Sequence, residues 1–485
     1  MPVDWEQLQA FAPGVSVALT VLVSLLASGH AILNKRDTRS ATAWVGLVWL
    51  VPVFGAVLYL FLGINRIQRR ARELKSRSIY GVPLDDAPRS PADLDRTLGN
   101  ERARMVELAR VVATVARQPL LAGNSIESLV DGDEAYPAML SAIRDAEESI
   151  TFASYIFEAA GVGDAFVDAL ADACARGVQV RVLIDDVGAR YGWPRIHSVL
   201  AKRGVPVARF LPAFLPRSVT YFNLRNHRKI MVVDGRIGFT GGMNIRPGCV
   251  LASHPDAATR DLHFRVQGPV VGQLQETFAE DWGFAAREKL EGKPWFKDLA
   301  PVGDTLARGI ADGPDANIDA LNWVFLGAVG AARRSVRVMT PYFLPDRPLL
   351  KALHLASKRG VEVDVIVPEV GNLPIVRWAM WGSYAQVIGD GVRLWLTPPP
   401  FDHSKLFVVD SYWSSVGSTN WDPRSLRLNF EFNLECYDGG LGAALDAHAL
   451  QRRETARLLT MADIEQRSPL LKLRDGTARL FQPYL

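Results

Sequence analysis

Two stretches of the 485-residue chain repeat one spacing of residues that could carry out chemistry. Each stretch reads histidine, any residue, lysine, four residues, aspartate, and each is followed at matching offsets by a small residue and an asparagine. The first stretch comprises His227, Lys229, Asp234, Gly242 and Asn244, and the second comprises His403, Lys405, Asp410, Ser418 and Asn420. One copy alone is compatible with an ordinary strand end, whereas two copies with matched offsets indicate a duplicated functional element.

These residue types favour a phosphate over a metal ion as the bound group. A charged lysine has no lone pair to offer a metal, but it supplies positive charge to a phosphate. Asparagine adds amide donors, and small residues let backbone amides approach the bound oxygens. Histidine can attack phosphorus or transfer a proton. The pattern therefore predicts phosphodiester chemistry that needs neither a metal nor another cofactor.

The paired motifs resemble the two HKD motifs of the phospholipase D superfamily. Two longer stretches, from Gly417 to Glu431 and from Thr340 to Asp346, resemble bacterial cardiolipin synthases, and the resemblance extends over nearly the whole chain. It implies an α/β fold in which two similar phospholipase D-like lobes hold the active site between them, preceded by an N-terminal membrane helical hairpin.

The resemblance also implies roles for individual residues. One histidine forms a phosphohistidine and the other handles protons; by analogy His227 is the nucleophile and His403 the acid/base, although two equivalent motifs leave this assignment open. Glu431 is expected to orient the histidine of the second half, and Asp261 that of the first. The predicted catalytic residues are His227, Lys229, Asp234, His403, Lys405 and Asp410, and the predicted substrate-binding residues are Asn244, Asn420, Gly242, Ser418 and Glu431. Asp234 and Asp410 end two short apolar runs, Ile230 to Val233 and Leu406 to Val409, which predict buried strands. We expect both aspartates to fix the backbone.

The rest of the soluble part alternates strand-like and helix-like segments twice, which predicts parallel-rich sheets with helices outside. The first half has the order Ile150 to Phe157, Gly163 to Arg176 and Val178 to Ile184, and the second has Ser335 to Met339, Pro348 to Lys358 and Val361 to Val367. We predict a membrane anchor at residues 1–75, a first lobe with its linker at 76–310 and a second lobe at 311–485, with the joint around residues 303–317.

Two apolar segments open the chain. No charged residue occurs from Gln7 to Asn34 or from Ser40 to Asn65, and either run is long enough to cross a bilayer. Pro52 is expected to kink the second segment. The larger basic cluster follows the second segment and favours cytoplasmic lobes on a multi-pass protein of the bacterial inner membrane. Because the turn between the segments is basic too, a hairpin within one leaflet stays an alternative.

The composition limits the kinds of molecule that the protein is expected to bind. A formal net charge of +3 does not indicate a nucleic-acid partner, and the three cysteines, which are predicted to be free and buried, show no zinc-binding spacing. Apolar residues 213–215 and 398–401 near the motifs suit membrane lipid. Four arginines next to the motifs would favour an anionic head group: Arg225, Arg228, Arg424 and Arg427. The sequence predicts no oligomeric state.

The resemblance implies that the protein joins two phosphatidylglycerol molecules into cardiolipin and releases glycerol. A phospholipase D that uses water, or a transferase with another acceptor alcohol, is the alternative from the same chemistry. A membrane-tethered module that binds or cleaves DNA is a third hypothesis. The apolar N-terminal segments and the apolar residues near the motifs disfavour it.

Overall fold

The computed structural model describes residues 5–35, 38–63, 103–116, 118–212, 224–253, 255, 258–314 and 319–485. The chain divides into two compact units, Met1–Arg70 and Ala71–Leu485. Three predicted features lie outside the described residues: residues 76–95 of the linker that opens the predicted first lobe, the basic cluster after the second apolar segment, and the apolar residues 213–215.

The N-terminal unit is helical. Its elements are α1 (Trp5–Asn34), α2 (Thr38–Leu50), α3 (Pro52–Leu58) and a π-helical turn (Tyr59–Gly63). Within α1, Gly14–Asn34 is the one stretch of the described residues that is long and apolar enough to cross a membrane as a single helix. The second apolar segment breaks at Val51, and Pro52 begins α3, so the predicted kink is confirmed. Ser28 on α1 accepts a hydrogen bond from the indole of Trp49 on α2, which holds the two helices together.

The second unit begins with a helix and then repeats one α/β order twice. The elements of the first half are α4 (Ala103–Val115), β1 (Leu121–Val130), α5 (Asp131–Asp145), β2 (Ser149–Ser154), α6 (Val162–Ala175), β3 (Gln179–Asp185), α7 (Ile196–Lys202), β4 (Val207–Phe210), β5 (Arg225–Asn226), β6 (Ile230–Val233), β7 (Ile237–Gly241), β8 (Thr259–Arg260), β9 (Leu262–Gln267) and α8 (Val271–Ala286).

The second half repeats this order from β10 onward. Its elements are β10 (Thr305–Asp312), α9 (Ala320–Ala331), β11 (Ser335–Met339), α10 (Arg347–Lys358), β12 (Glu362–Pro368), α11 (Pro374–Ile388), β13 (Arg393–Thr397), β14 (Phe401–Asp402), β15 (Leu406–Val409), β16 (Trp413–Gly417), α12 (Pro423–Arg427), β17 (Asn429–Tyr437), α13 (Gly439–Glu454), β18 (Arg457–Leu458), α14 (Met461–Glu465) and α15 (Pro469–Leu480). Every helix and strand expected from the alternation is present within one or two residues at its start; the first strand ends three residues earlier than expected.

In the described part of the chain, one 16-stranded sheet runs through both halves. Its order is β18-β13-β12-β11-β15-β16-β17-β10-β1-β9-β7-β6-β2-β3-β4, with β5 added beside β17. Strand β10 pairs with both β1 and β17, so it lies where the halves meet. The predicted lobe boundary between residues 310 and 311 falls within this strand, and the division into lobes stays a prediction.

Helices cover both faces of this sheet. One apolar cluster in the first half is formed mainly by α5, α6, β2 and β3, and another in the second half by α4, α9, α10 and α11 with their strands. A third cluster on the opposite face joins α8 and α13 to strands of both halves. This shared core holds the two halves in a fixed relation, which in turn fixes the carboxyl ends of β2 and β11, where the motifs lie.

Candidate active site

Both histidine–lysine pairs lie just before short buried strands. His227 and Lys229 connect β5 to β6, and His403 and Lys405 connect β14 to β15. Because β6 is antiparallel to β2 and β15 is antiparallel to β11, both pairs lie at the carboxyl ends of the parallel strands β2 and β11. All four side chains are buried. The two motifs share one site, because the Glu431 carboxylate contacts His227 of the first motif and Ser418 of the second. Burial lowers the pKa of His403 well below its ordinary value, and the nearby charges of Lys405, Lys229 and His227 lower it further.

Each histidine is held by a carboxylate from the other half. His227 Nδ1 lies 3.0 Å from Glu431 Oε2, and His403 Nδ1 lies 2.7 Å from Asp261 Oδ2. The expectation that Glu431 orients the histidine of its own half, and Asp261 likewise, is therefore wrong. In a neutral imidazole whose Nδ1–H donates to the carboxylate, Nε2 keeps its lone pair. Both imidazoles are thus arranged to use Nε2 on a substrate.

Reciprocal strand pairing causes this exchange. Strand β5 runs parallel to the start of β17, and the His227 amide donates to Phe430 O at 2.9 Å. Strand β14 runs parallel to β8, and the His403 amide donates to Arg260 O at 2.8 Å. Each motif is therefore bound by its backbone to the residue that precedes the other half's carboxylate.

The two lysines line the same buried space. Lys229 Nζ donates to His227 O at 2.6 Å, and Lys405 Nζ donates to His403 O and lies 2.8 Å from His403 Nδ1. Burial lowers the pKa of Lys229 to about 7 and that of Lys405 to about 8. A bound phosphate would raise both pKa values again and so restore the positive charges, because its negative charge stabilises the protonated form of a buried lysine.

The two carboxylates differ in their electrostatics. Burial alone would raise the pKa of Glu431, but His227, Lys229 and the Ser418 hydroxyl hold it below its usual range. Burial raises the pKa of Asp261 to about 6 against the opposing effect of Lys405. At neutral pH Glu431 is therefore the more firmly ionised of the two acids.

The small residues at matched offsets explain part of that difference. The Ser418 hydroxyl donates to Glu431 Oε2 at 2.5 Å. At the equivalent position, a Cβ on Gly242 would lie 2.2 Å from Asp261 Oδ1, so only glycine leaves room for this carboxylate. Both positions thus contact the orienting acids. Their predicted role in substrate binding stays a prediction.

The two asparagines lie beside the motifs. Asn244 Oδ1 accepts a hydrogen bond from the Ile156 amide at 3.1 Å, so its orientation is fixed by the carboxyl end of β2. Asn420 is also buried. Fixing the oxygen of Asn244 directs its amide nitrogen away from the backbone, which suits donation to a phosphate oxygen.

The last residue of each motif acts on the backbone. The Asp234 carboxylate accepts from the amides of Glu147, Glu148 and Ser149, and the Asp410 carboxylate accepts from those of Arg333, Arg334 and Ser335. Both contacts lie at the opposite ends of β6 and β15 from the histidines. They fix the starts of β2 and β11, as expected for residues that end strands, and place both carboxylates away from the histidines.

The head-group prediction for the arginines needs one correction. Arg228 is buried and donates to Asp281 Oδ1 at 2.7 Å and to Glu431 O at 3.0 Å, so it fixes the motif and does not face a ligand. Arg427 is half exposed and pairs with Asp346. Burial lowers the pKa of Arg424, and the charge of Arg225 lowers it further.

Two tyrosines and one aspartate at the site were not predicted from the sequence. The Tyr155 ring lies 5.1 Å from the His227 ring, and the Tyr342 ring lies 6.4 Å from the His403 ring. Asp185 Oδ2 accepts from the Asn226 amide at 2.8 Å and so holds the start of the first motif. Their common signal is position, since each lies at or just beyond the carboxyl end of a parallel strand.

No three His, Cys, Asp or Glu side chains of the described residues are grouped to hold a metal ion. Within the same residues, the three cysteines are free, with Cys249 and Cys436 buried and Cys174 half-buried. The expected independence from metals stays a prediction.

Comparisons with known proteins fit this geometry. A family model described as cardiolipin synthase, phospholipase D-like domain, matches residues 139–282 and 326–452. Cardiolipin synthase A of Pseudomonas putida is 33% identical, with 97% of this chain and 98% of the relative covered. Cardiolipin synthase 1 of Staphylococcus epidermidis is 30% identical, with 94% of each chain covered. The chain belongs to the cardiolipin synthase family.

Two further comparisons of this cardiolipin synthase family member concern its N-terminal segment and its fold. A model described as phospholipase D-nuclease N-terminal matches residues 22–63, which together with α1 places the protein at a membrane. A crystal structure of phosphatidylserine synthase from Haemophilus influenzae covers 78% of this chain and all of that chain, with a TM-score of 0.59 and 15% identity. That similarity shows the fold, and with the two regions matched by the family model it confirms the predicted α/β class with two phospholipase D-like regions.

Proposed function

We propose that this protein is a phosphatidyltransferase that joins two phosphatidylglycerol molecules into cardiolipin and releases glycerol. The observation that carries the proposal is the shared site of two histidine–lysine pairs with exchanged carboxylates, in a chain of the cardiolipin synthase family. A double displacement at one phosphorus atom needs a nucleophile and an acid/base group, and the two histidines of this site supply both.

In the first step His227 Nε2 attacks the phosphorus of one phosphatidylglycerol. The P–N bond forms and the P–O bond to the terminal glycerol breaks. His403, which takes up a proton on Nε2 when the anionic phosphate binds beside it, gives that proton to the departing glycerol oxygen. Glu431 supports His227 as the nucleophile because an ionised carboxylate at Nδ1–H increases the electron density at Nε2 and stabilises the charge that develops on the ring.

In the second step a terminal hydroxyl of the second phosphatidylglycerol resolves the phosphohistidine. His403 removes the hydroxyl proton, the oxygen attacks phosphorus, and the P–N bond to His227 breaks. The lowered pKa of His403 suits this step because the ring is neutral before it accepts the proton.

Lys229, Lys405, Asn244 and Asn420 bind the non-bridging phosphate oxygens in this scheme. The two lysines are buried, so their attraction for the negative transition state is weakly screened. We assign Arg225 and Arg424 to the second anionic lipid, because Arg225 lies two residues before His227 and Arg424 four residues after Asn420 in the sequence.

The membrane arrangement is part of the proposal. The two apolar segments form a multi-pass hairpin, and the lobes face the cytoplasm of a bacterial inner membrane. The support is the spanning length of α1, its contact with α2 and the basic residues that follow the second segment.

Product analysis with purified full-length protein tests the function. Vesicles of phosphatidylglycerol are incubated with the enzyme, and lipids are separated and identified by mass spectrometry, with a His227→Ala preparation as the control. Cardiolipin and glycerol in equal amounts are expected. Phosphatidic acid as the dominant product would instead assign a hydrolase, and no lipid product at all would refute both activities.

A further inference from the structure

The mouth of the site carries exposed apolar side chains on equivalent loops of the two halves. The loop after β3 holds Tyr191 and Trp193, which are 60% and 88% exposed. The loop after β12 and the start of α11 hold Val370, Leu373 and Ile375, which are 46%, 42% and 43% exposed. We refer to these five residues as the rim.

Ring contacts and one hydrogen bond connect the two loops to both histidines. The Tyr191 ring lies 6.3 Å from the ring of Tyr155, which packs on His227. On the other side, the Tyr342 hydroxyl donates to Asn372 at 2.7 Å, and the Tyr342 ring packs near His403. The rim residue Tyr191 is therefore one aromatic ring away from His227, and Asn372, which directly precedes the rim residue Leu373, is one aromatic ring away from His403.

We propose that the rim inserts into the head-group region of an anionic phospholipid leaflet and places the site over it. The proposal rests on the proposed function, since the substrate is then part of that leaflet. Both histidines are buried, so the phosphodiester of a lipid that stays in its leaflet can reach them only if the mouth meets the membrane surface. Tryptophan and tyrosine favour the head-group region, because there the apolar ring can contact acyl chains while its N–H or O–H group can form hydrogen bonds.

Charge on the rim favours an anionic leaflet over another apolar surface. Residues 187–195 contain no acidic residue. Of their two arginines, Arg190 pairs with Asp186 at 2.7 Å, and Arg195 is exposed. Arg377 follows on the first turn of α11. Exposed apolar side chains flanked by arginine match a layer of negatively charged head groups above acyl chains.

Site-directed fluorescence tests the insertion on the full-length protein. Trp193→Cys and Leu373→Cys are labelled with an environment-sensitive dye in a Cys174→Ser background, because Cys249 and Cys436 are buried. Val302→Cys is the matched control. It is exposed and precedes β10, whose far end pairs with Glu431, so it lies at the opposite end of the strand from the site.

In phosphatidylglycerol vesicles we expect dye at positions 193 and 373 to shift to shorter wavelength and to be quenched by lipids brominated near the head group. Dye at position 302 should behave as it does in detergent. Equal behaviour of all three labels would refute the insertion. A blue shift that depends on protein concentration and not on lipid would also refute it, because a second copy would then cover the rim.

A kinetic test uses the ratio of the rate on vesicles to the rate on detergent-dispersed phosphatidylglycerol. The double variant Trp193→Ser, Leu373→Ser should lower this ratio about tenfold, since it removes apolar area that holds the mouth on the bilayer. Val302→Ser should leave it unchanged. An unchanged ratio in the double variant would overturn the proposal.

The two experiments separate this inference from the proposed function. Labels that enter the leaflet while no cardiolipin forms would support the rim and refute the synthase. Cardiolipin formation with labels that stay in water would support the synthase and refute the rim.

Discussion

Glu431 Oε2 lies 3.0 Å from Nδ1 of His227, a residue that precedes it by 204 positions and belongs to the other half. The same carboxylate accepts the Ser418 hydroxyl, and Asn429 Nδ2 donates to its second oxygen at 3.0 Å. These contacts fix one orientation of a buried, ionised group. His227 is therefore positioned from the second half, and the chemistry of either motif depends on both.

Replacing either histidine should stop turnover without unfolding the protein. We expect His227→Ala and His403→Ala each to lower kcat by about a thousandfold or more, because each removes either the nucleophile or the acid/base. Product chromatography and thermal unfolding in detergent are the measurements. Near wild-type synthesis by either purified variant would contradict a shared site.

Each carboxylate contacts the histidine of the other half, so replacing it should impair that histidine and not the histidine of its own half. Glu431→Gln should abolish a phosphoenzyme trapped with phosphate-labelled lipid, as His227→Ala does, because both disable the nucleophile. Asp261→Asn should resemble His403→Ala in its pH profile. Glu435→Gln is the matched control, since that buried carboxylate on the same strand pairs with Arg308. If Glu431→Gln matched His403→Ala instead, the exchanged assignment would fail.

The buried lysines predict loss of catalytic efficiency in alkaline solution. Their pKa values are lowered to about 7 and about 8, so each loses its positive charge as the pH rises through that value. The phosphodiester stays anionic throughout, and kcat/KM should fall across this range because the free enzyme binds it less well. Circular dichroism over the same range controls for unfolding. A kcat/KM that is flat or rises there would show that the lysines keep their charge or are not needed.

Removing the aspartate at the end of either motif should affect folding more than chemistry. Asp234→Ala and Asp410→Ala each lose an acceptor for three backbone amides, which should cost about 1–3 kcal/mol of unfolding free energy. Asp234→Asn, which keeps a side-chain oxygen and tolerates the left-handed backbone at φ 51°, should cost less. Thermal unfolding is compared with activity per folded molecule. Full stability combined with lost activity would assign these residues a direct catalytic role.

Activity should persist in excess chelator. Two buried lysines supply the positive charge that a metal ion would otherwise provide at the phosphate. Synthesis from phosphatidylglycerol in detergent is measured with and without chelator, after dialysis. Complete loss that one specific divalent ion restores would contradict this expectation.

The sequence predicted the parts of the site that local patterns encode. Short apolar runs predicted β6 and β15, and the repeated alternation predicted β2, β3, β11 and β12. The side chains within each motif lie two residues apart, so their relation depends only on the local backbone. Pro52 likewise acts on its own helix, and the break at that position was predictable.

Relations between distant segments could not be predicted in the same way. Nothing local in Glu431 indicates that β17 pairs with β5, and an acid beside a motif gives no information on which histidine it meets. Arg228 is a second case. Its position next to His227 suggested a ligand contact, but Asp281 on α8 binds it from a different layer of the fold. Both outcomes depend on packing of the complete second unit.

The reciprocal pairs β5–β17 and β8–β14 also determine when the enzyme becomes competent during its synthesis. A ribosome that has released the first motif has not yet made the strand that carries Glu431, and contacts this distant along the chain form late because their closure entropy is large. A chain truncated before β17 would hold an unsupported His227. We therefore expect reactive histidine to arise only on completed molecules, which protects the membrane from hydrolysis by unfinished ones.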